Sequence, residues 1–248
     1  MHSRKDHPVV PTTNTRRSPL IPLVIAGIAA LLAVVGFVAS RTGESPSGSA
    51  AQAAEPGQSS AAGGKDPLAG LARREPNDPM AMGEVDAPVV MISYSEFQCP
   101  FCGKFARDTE PTLVKKYVDT GVLRIEWRDF PYLGEESMTS ALAGRAAAEQ
   151  GKFWEFHDAM YADQQPVNGG KLTKDYLRSV AEGAGLDGEQ LVADMDRPEL
   201  KEAVQRDAQE GQSLGVTGTP AFIVGGQPII GAQPIEVFEQ AIEAAATS

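Results

Sequence analysis

Cysteine is scarce: the 248 residues hold two, Cys99 and Cys102. A scaffold stapled by several disulfides is therefore excluded. Histidine is almost as rare, with His2, His7 and His157. A structural zinc needs about four ligands, so the cysteine pair supplies half of one. No internal repeat is visible. Uncharged apolar runs of membrane-spanning length are absent except for one, Leu20 to Ala39. Basic excess is absent as well. The net charge is −11, and residues 1–41 contribute +4 to it from five Lys/Arg and one Asp, which leaves −15 for residues 42–248. A part so acidic is not drawn to nucleic acid or to an anionic lipid surface. It keeps a domain soluble and does not identify a substrate.

What is present begins with that apolar run. About 20 apolar residues in a helix match a bilayer core of roughly 30 Å. Pro22 falls in the first turn, where proline is tolerated. Arg4, Lys5, Arg16 and Arg17 precede the run and only Arg41 follows it closely. This asymmetry predicts a cytoplasmic N-terminus, with the rest of the chain outside. A cleaved signal peptide is the rival, with Ala51-Gln52-Ala53 as a small-x-small site. The length of the run favours an uncleaved anchor. No cysteine lies near it, which excludes a lipid anchor on cysteine.

The expected organisation is a cytoplasmic tail at 1–19, a transmembrane anchor at 20–39, a flexible linker at 40–79 and a folded domain at 80–248. Ser, Gly, Ala, Gln, Pro and Glu dominate from 40 to about 66 and bury too little surface to offset ordering entropy. Pro88 to Phe97 reads as a strand buried on both faces. A helix follows from about Pro100 to Asp119, with Pro111 expected to interrupt it. Val122 to Phe130 alternates, as a strand with one covered face does. Residues 135–214 carry helical periodicity and no strand signal, and Thr173 is an expected cap. Ala221–Val224 and Gln227–Ile230, joined by Gly225-Gly226, read as a hairpin. A last helix follows to about Ala246. Strand, helix, strand, helical block, hairpin and helix make an α/β architecture on one mixed sheet.

The cysteines sit three positions apart where a buried strand enters a helix. A thiol there faces unpaired backbone N–H groups and the positive end of the helix dipole, which lower its pKa. Thiolate is the attacking form in disulfide exchange. Cys99, at the cap, is the expected exposed nucleophile. Cys102, one turn deeper, is expected to resolve the mixed disulfide. A structural disulfide is the alternative, but one closing so short a loop restricts the unfolded chain little. Zinc is a further alternative, limited by the ligand count. Val216-Thr217-Gly218-Thr219-Pro220 precedes a strand. Alone it is an ordinary turn, because X–Pro bonds are mostly trans. Trp154 and His157 lie among Phe153 and Phe156, as packing residues do.

Together these pieces resemble the thioredoxin superfamily, and within it the DsbA-like branch. The resemblance rests on Ser95-Glu96-Phe97-Gln98-Cys99-Pro100-Phe101-Cys102, Arg128-Asp129-Phe130-Pro131, Phe153-Trp154-Glu155-Phe156-His157-Asp158, and Val216 to Pro220 with its hairpin. It covers about residues 80–246. It implies a thioredoxin-like fold with an inserted helical domain at about 135–214. It also implies a cis Thr219–Pro220 bond beside the cysteines, whose backbone pairs with extended substrate. The implied activity is thiol:disulfide exchange, with no cofactor beyond the Cys99–Cys102 redox disulfide and with no metal. The implied partners are exported proteins with cysteine thiols and a membrane oxidase of the DsbB or vitamin-K-epoxide-reductase kind. A monomer is expected, because the linker has no apolar pattern from which to build a dimerisation domain.

Two departures bear on the chemistry. The best-known oxidant of the branch has a histidine between its cysteines, where this chain has Pro100 and Phe101. The Phe101 side chain donates no hydrogen bond and carries no charge, so a pair less oxidising than that enzyme, yet more so than thioredoxin, is expected. Glu96, three before Cys99, is either a proton relay for Cys102 or an ordinary strand-end carboxylate.

Overall fold

The computed structural model of the protein describes residues 68–247. The expected tail and anchor, 1–39, lie outside the described residues. Among those described, no helix is long and apolar enough to cross a membrane.

The run Val-Val-Met-Ile-Ser-Tyr-Ser forms strand β2, Val89–Ser95, buried at every position. It lies at the centre of a five-stranded sheet of order β1-β3-β2-β4-β5. Strand β3, Leu123–Asp129, runs parallel to β2 from Val89↔Leu123 to Ser95↔Asp129. Strand β4, Ala221–Val224, lies antiparallel on the other side of β2. Strand β5, Gln227–Ile230, completes the hairpin. Gly225 and Gly226 have φ of 54° and 92°, the left-handed pair that a two-residue hairpin turn requires. A two-residue strand, β1 (Ala81–Met82), pairs antiparallel with the outer edge of β3. It is too short to carry an alternation signal.

The first helix is interrupted where Pro111 predicts. Helix α1 spans Pro100–Asp108, α2 spans Glu110–Leu113, and a π-helical turn continues over Val114–Val118. Phe105 of α1 packs with Phe222 and Phe238, at centroid separations of 4.5 and 5.2 Å. This joins α1 to one sheet face and to the last helix, α8 (Ile235–Ala246). The other face carries Val90, Ile92, Tyr94 and Ile223.

Between β3 and β4 stand five helices: α3 (Glu135–Glu149), α4 (Phe153–Ala162), α5 (Lys174–Gly183), α6 (Gly188–Asp194) and α7 (Pro198–Ser213). They form a second core around Phe153, Phe156, Leu177 and Leu191, and Phe97, Cys99, Cys102 and Trp127 belong to it. Thr173 caps α5, its side chain accepting from the Tyr176 N–H.

Two expectations are corrected. Strand β3 is not half-exposed; all seven of its residues are buried. Its charged positions face ion-pair partners instead of water: Glu126 binds Arg124 and Arg128, and Arg128 also reaches Glu210. The linker also ends earlier than 79. Leu68 and Leu71 pack on the sheet, the backbone N–H groups of Arg73 and Arg74 donate to Glu126, and Arg73 pairs with Asp207 and Glu210.

Candidate active site

Cys99 is the N-cap of α1, in extended backbone, with Pro100 at the first helical position. Proline has no N–H to waste in that orphan position and its φ suits the helix. The chain can therefore turn sharply from β2 into α1 and leave the sulfur of Cys99 at the helix mouth. Both cysteines are free thiols. The Thr219–Pro220 bond is cis, as the resemblance implied. The thiol of Cys99 donates to the Thr219 carbonyl, with the sulfur 3.2 Å from the oxygen. Residues 120 positions apart are thus brought into contact.

The expected exposure of Cys99 does not hold. Cys99 is 2 % exposed and Cys102 1 %. The loop carrying Thr219 sits on the sulfur, while Phe101, at 63 %, and Tyr132, at 47 %, are exposed. The two thiols are nevertheless electrostatically distinct. A hydrogen bond from the Cys102 thiol, with help from the backbone N–H groups of Cys102 and Phe101, lowers the Cys99 pKa to about 6 against the opposing cost of burial. Burial pushes the Cys102 thiol well above its ordinary value, and the negative Cys99 adds to that shift.

Glu96 is buried, which resolves the choice between a surface carboxylate and an interior one in favour of the interior. Burial raises its pKa to about 7; a hydrogen bond from Ser137 opposes the shift and the negative Cys99 adds to it. One carboxylate oxygen takes the Ser137 bond. The other has no hydrogen-bond partner.

Several residues that sequence reading passed over complete the site, and most come from the helical insertion. Gln98 donates to Ser137 at 2.7 Å and accepts from the Asn168 N–H at 2.7 Å. The Tyr161 hydroxyl donates to the Glu96 carbonyl at 2.9 Å and lies 3.3 Å from the Ser95 hydroxyl. Gln164 donates to the carbonyls of Phe97 and Cys99. Tyr132 was also missed; burial raises its pKa, and the next contribution is the negative Cys99 beside it. Nothing periodic marks such residues, because each acts through one polar atom.

Trp154 and His157 are packing residues, as expected. His157 is buried against Phe97, Trp127, Phe153, Trp154 and Tyr161. Among the described residues, one group of three potential metal-ligating side chains lies close together: Glu110, His157 and Asp158. It includes neither cysteine.

A dithiol at a helix N-terminus, one sulfur acidified and the other suppressed, beside a cis-proline loop on a mixed sheet, defines a thiol–disulfide exchange protein of thioredoxin-like fold. Residues 75–244 match the family model described as Thioredoxin, and the chain belongs to that family. It is 33 % identical over 150 residues to the probable disulfide bond formation protein D of Bacillus cereus, an alignment covering 59 % of this chain and 69 % of that one. A crystal structure of a thioredoxin-like oxidoreductase from Silicibacter pomeroyi aligns with TM-score 0.62 and 29 % identity, covering 75 % of this chain and 99 % of that one. Oxidised BdbD from Bacillus subtilis aligns with TM-score 0.64 over 69 % of this chain and 94 % of its own, and its 23 % identity speaks to the fold alone. Within the family this chain is a DsbA-like thiol:disulfide oxidoreductase.

Proposed function

We propose that the protein catalyses disulfide formation in exported proteins, with Cys99 as nucleophile and Cys102 as resolving thiol. The observation that carries this reading is the Cys99 thiol at the N-cap of α1, its sulfur 3.2 Å from the Thr219 carbonyl of the cis-proline loop, with its pKa lowered while that of Cys102 is raised. A low-pKa cysteine is the better leaving group and stabilises the reduced enzyme, which makes the oxidised enzyme the stronger oxidant. A substrate thiolate attacks Cys99 of the Cys99–Cys102 disulfide and forms a mixed disulfide as Cys102 leaves as thiolate. A second substrate thiolate then attacks the substrate sulfur and releases Cys99. The substrate leaves as a disulfide and the enzyme as a dithiol. No cofactor beyond the cysteine pair is invoked.

Glu96 is placed in the role of proton carrier for Cys102, because burial gives it a pKa near neutrality and one of its oxygens has no hydrogen-bond partner. Thr219 and Pro220 are assigned to substrate binding: the Thr219 carbonyl beside the sulfur is an edge to which an extended peptide can add. Anchoring by 20–39, with the N-terminus in the cytoplasm and the domain outside, rests on the apolar run and the basic residues before it. A membrane oxidase of the DsbB or vitamin-K-epoxide-reductase kind would regenerate the disulfide, and the enzyme would act as a monomer.

The test is transfer to a reduced, unfolded cysteine protein by the oxidised enzyme. Stoichiometric appearance of substrate disulfides is expected, and no transfer would overturn the reading. An equilibrium with glutathione near that of thioredoxin, about −270 mV, would assign a reductase instead. An undiminished cellular phenotype in Cys99→Ala would assign a peptide-binding module without redox chemistry.

A further inference from the structure

The approach to Cys99 is fastened from outside the thioredoxin-like part. Residues 96–99 link β2 to α1, and the helical insertion and its connections hold them through the side chains of Ser137, Tyr161 and Gln164 and the backbone N–H of Asn168. Gln164, two residues past the end of α4, differs from the others in reaching the nucleophile's own residue. Its Nε2 donates to the Cys99 carbonyl at 2.8 Å and to the Phe97 carbonyl at 3.0 Å. The Cys99 carbonyl also accepts the Gly103 N–H at 3.1 Å, the first backbone bond of α1. Gln164 thus binds the same oxygen that starts the helix.

The other end of the Gln164 amide explains Gly103. A Cβ on residue 103 would lie 2.2 Å from Oε1 of Gln164 and 2.7 Å from a guanidinium nitrogen of Arg107. That guanidinium is itself held by the Tyr161 carbonyl at 2.7 Å. Gly103 has no positive φ to account for its presence. Its missing side chain leaves the space in which the Gln164 amide lies.

We infer that Gln164 is a positioning residue for the redox reaction, docked against Gly103, through which the helical insertion sets the thiolate stability of Cys99. By pairing the carbonyls of residues 97 and 99, it fixes the turn that aims the Phe101 and Cys102 N–H groups at the sulfur. Those donors act on the thiolate only while their direction is fixed, because a donor that must reorganise loses much of its electrostatic advantage. The inference deepens the oxidoreductase reading and rests on it. It adds a route by which anything that shifts the helical insertion, a docked partner included, would alter the redox poise of the pair.

The test uses the full chain with Gln164→Met, which keeps the volume and removes both donors. Thiolate absorbance gives the Cys99 pKa, and equilibration with glutathione gives the redox constant. The expected result is a higher Cys99 pKa and a glutathione equilibrium shifted about five- to tenfold toward the enzyme disulfide, the effect of one or two ordinary hydrogen bonds. Gly103→Ala is expected to move both quantities the same way. Adding Gln164→Met to it should change little more, because the two substitutions break one contact. An unchanged pKa and equilibrium in Gln164→Met would overturn the inference, as would full additivity of the pair. Failure of the wild-type protein to exchange with glutathione would instead overturn the oxidoreductase reading. In that event the pKa comparison still decides the role of Gln164.

Discussion

At the residue scale the chemistry turns on two groups shifted toward neutrality from opposite sides. Hydrogen bonding lowers the Cys99 thiol to about 6, and burial raises the Glu96 carboxyl to about 7. Labelling of the reduced enzyme by a small alkylating agent should therefore stay near its maximum down to about pH 7 and fall to half of it near pH 6; a free-thiol profile would contradict the assignment. Glu96 also makes a stability prediction. Its folded pKa is raised above the ordinary carboxylate value, so its contribution is fully present below about pH 4.5 and is lost as pH rises through about 7. Glu96→Gln should remove that loss and make the reduced protein more stable at pH 8 than the parent, by up to about 3 kcal/mol for a shift of that size. Urea melts at pH 5 and pH 8 read the difference, and equal effects at both would contradict it.

Among the elements, the legible ones are those whose signals are local. Pro111 divides the first helix, Gly225-Gly226 closes the hairpin, and Thr173 caps α5 through the Tyr176 N–H. Thr173→Ala should cost about 1 kcal/mol of stability in chemical denaturation. It should leave the Cys99 pKa where it is, because α5 sends no side chain among those that hold residues 96–99. A change in Cys99 reactivity would mean that α5 matters more to the site than its contacts suggest. Strand β3 shows how a sound pattern rule misleads. The alternation of Arg124, Glu126 and Arg128 with apolar residues is real, but alternation reports two different faces and not which of them meets water. Here the polar face meets Arg73, Arg74 and α7. The same limit applies to the site: the cysteine pair and the cis-proline motif are each a short run of neighbouring residues, whereas Gln164, Ser137 and Tyr161 become visible only when distant helices are brought against β2.

At the scale of the described domain, buried charge joins the elements alongside apolar packing. Asp207 of α7 is 1 % exposed and binds Arg73 before β1, Arg145 of α3 and the Asp129 N–H at the end of β3. One carboxylate therefore ties the entering chain, the sheet and two helices of the insertion. Asp207→Asn takes one partner from each of two guanidinium groups, Arg73 at 30 % side-chain exposure and Arg145 at 16 %, which keep Glu210 and Asp129. It should destabilise the protein by about 2–3 kcal/mol, below the full cost of a buried charge left unpaired. Denaturant melts measure this, and a loss below about 1 kcal/mol, the range of exposed pairs, would show that the network is solvated in solution.

The covering of Cys99 by the loop that carries Thr219 has a consequence for the order of events in a client chain. A cysteine already wound into a helix has committed its main-chain groups and cannot lie along the Thr219 carbonyl. An unfolded stretch can. The enzyme should thus pair cysteines in chains that are still unfinished and pass over those whose structure has set. A mixture of one client, half unfolded and half locked in its reduced native form, would reveal the bias, and equal rates for the two halves would refute it.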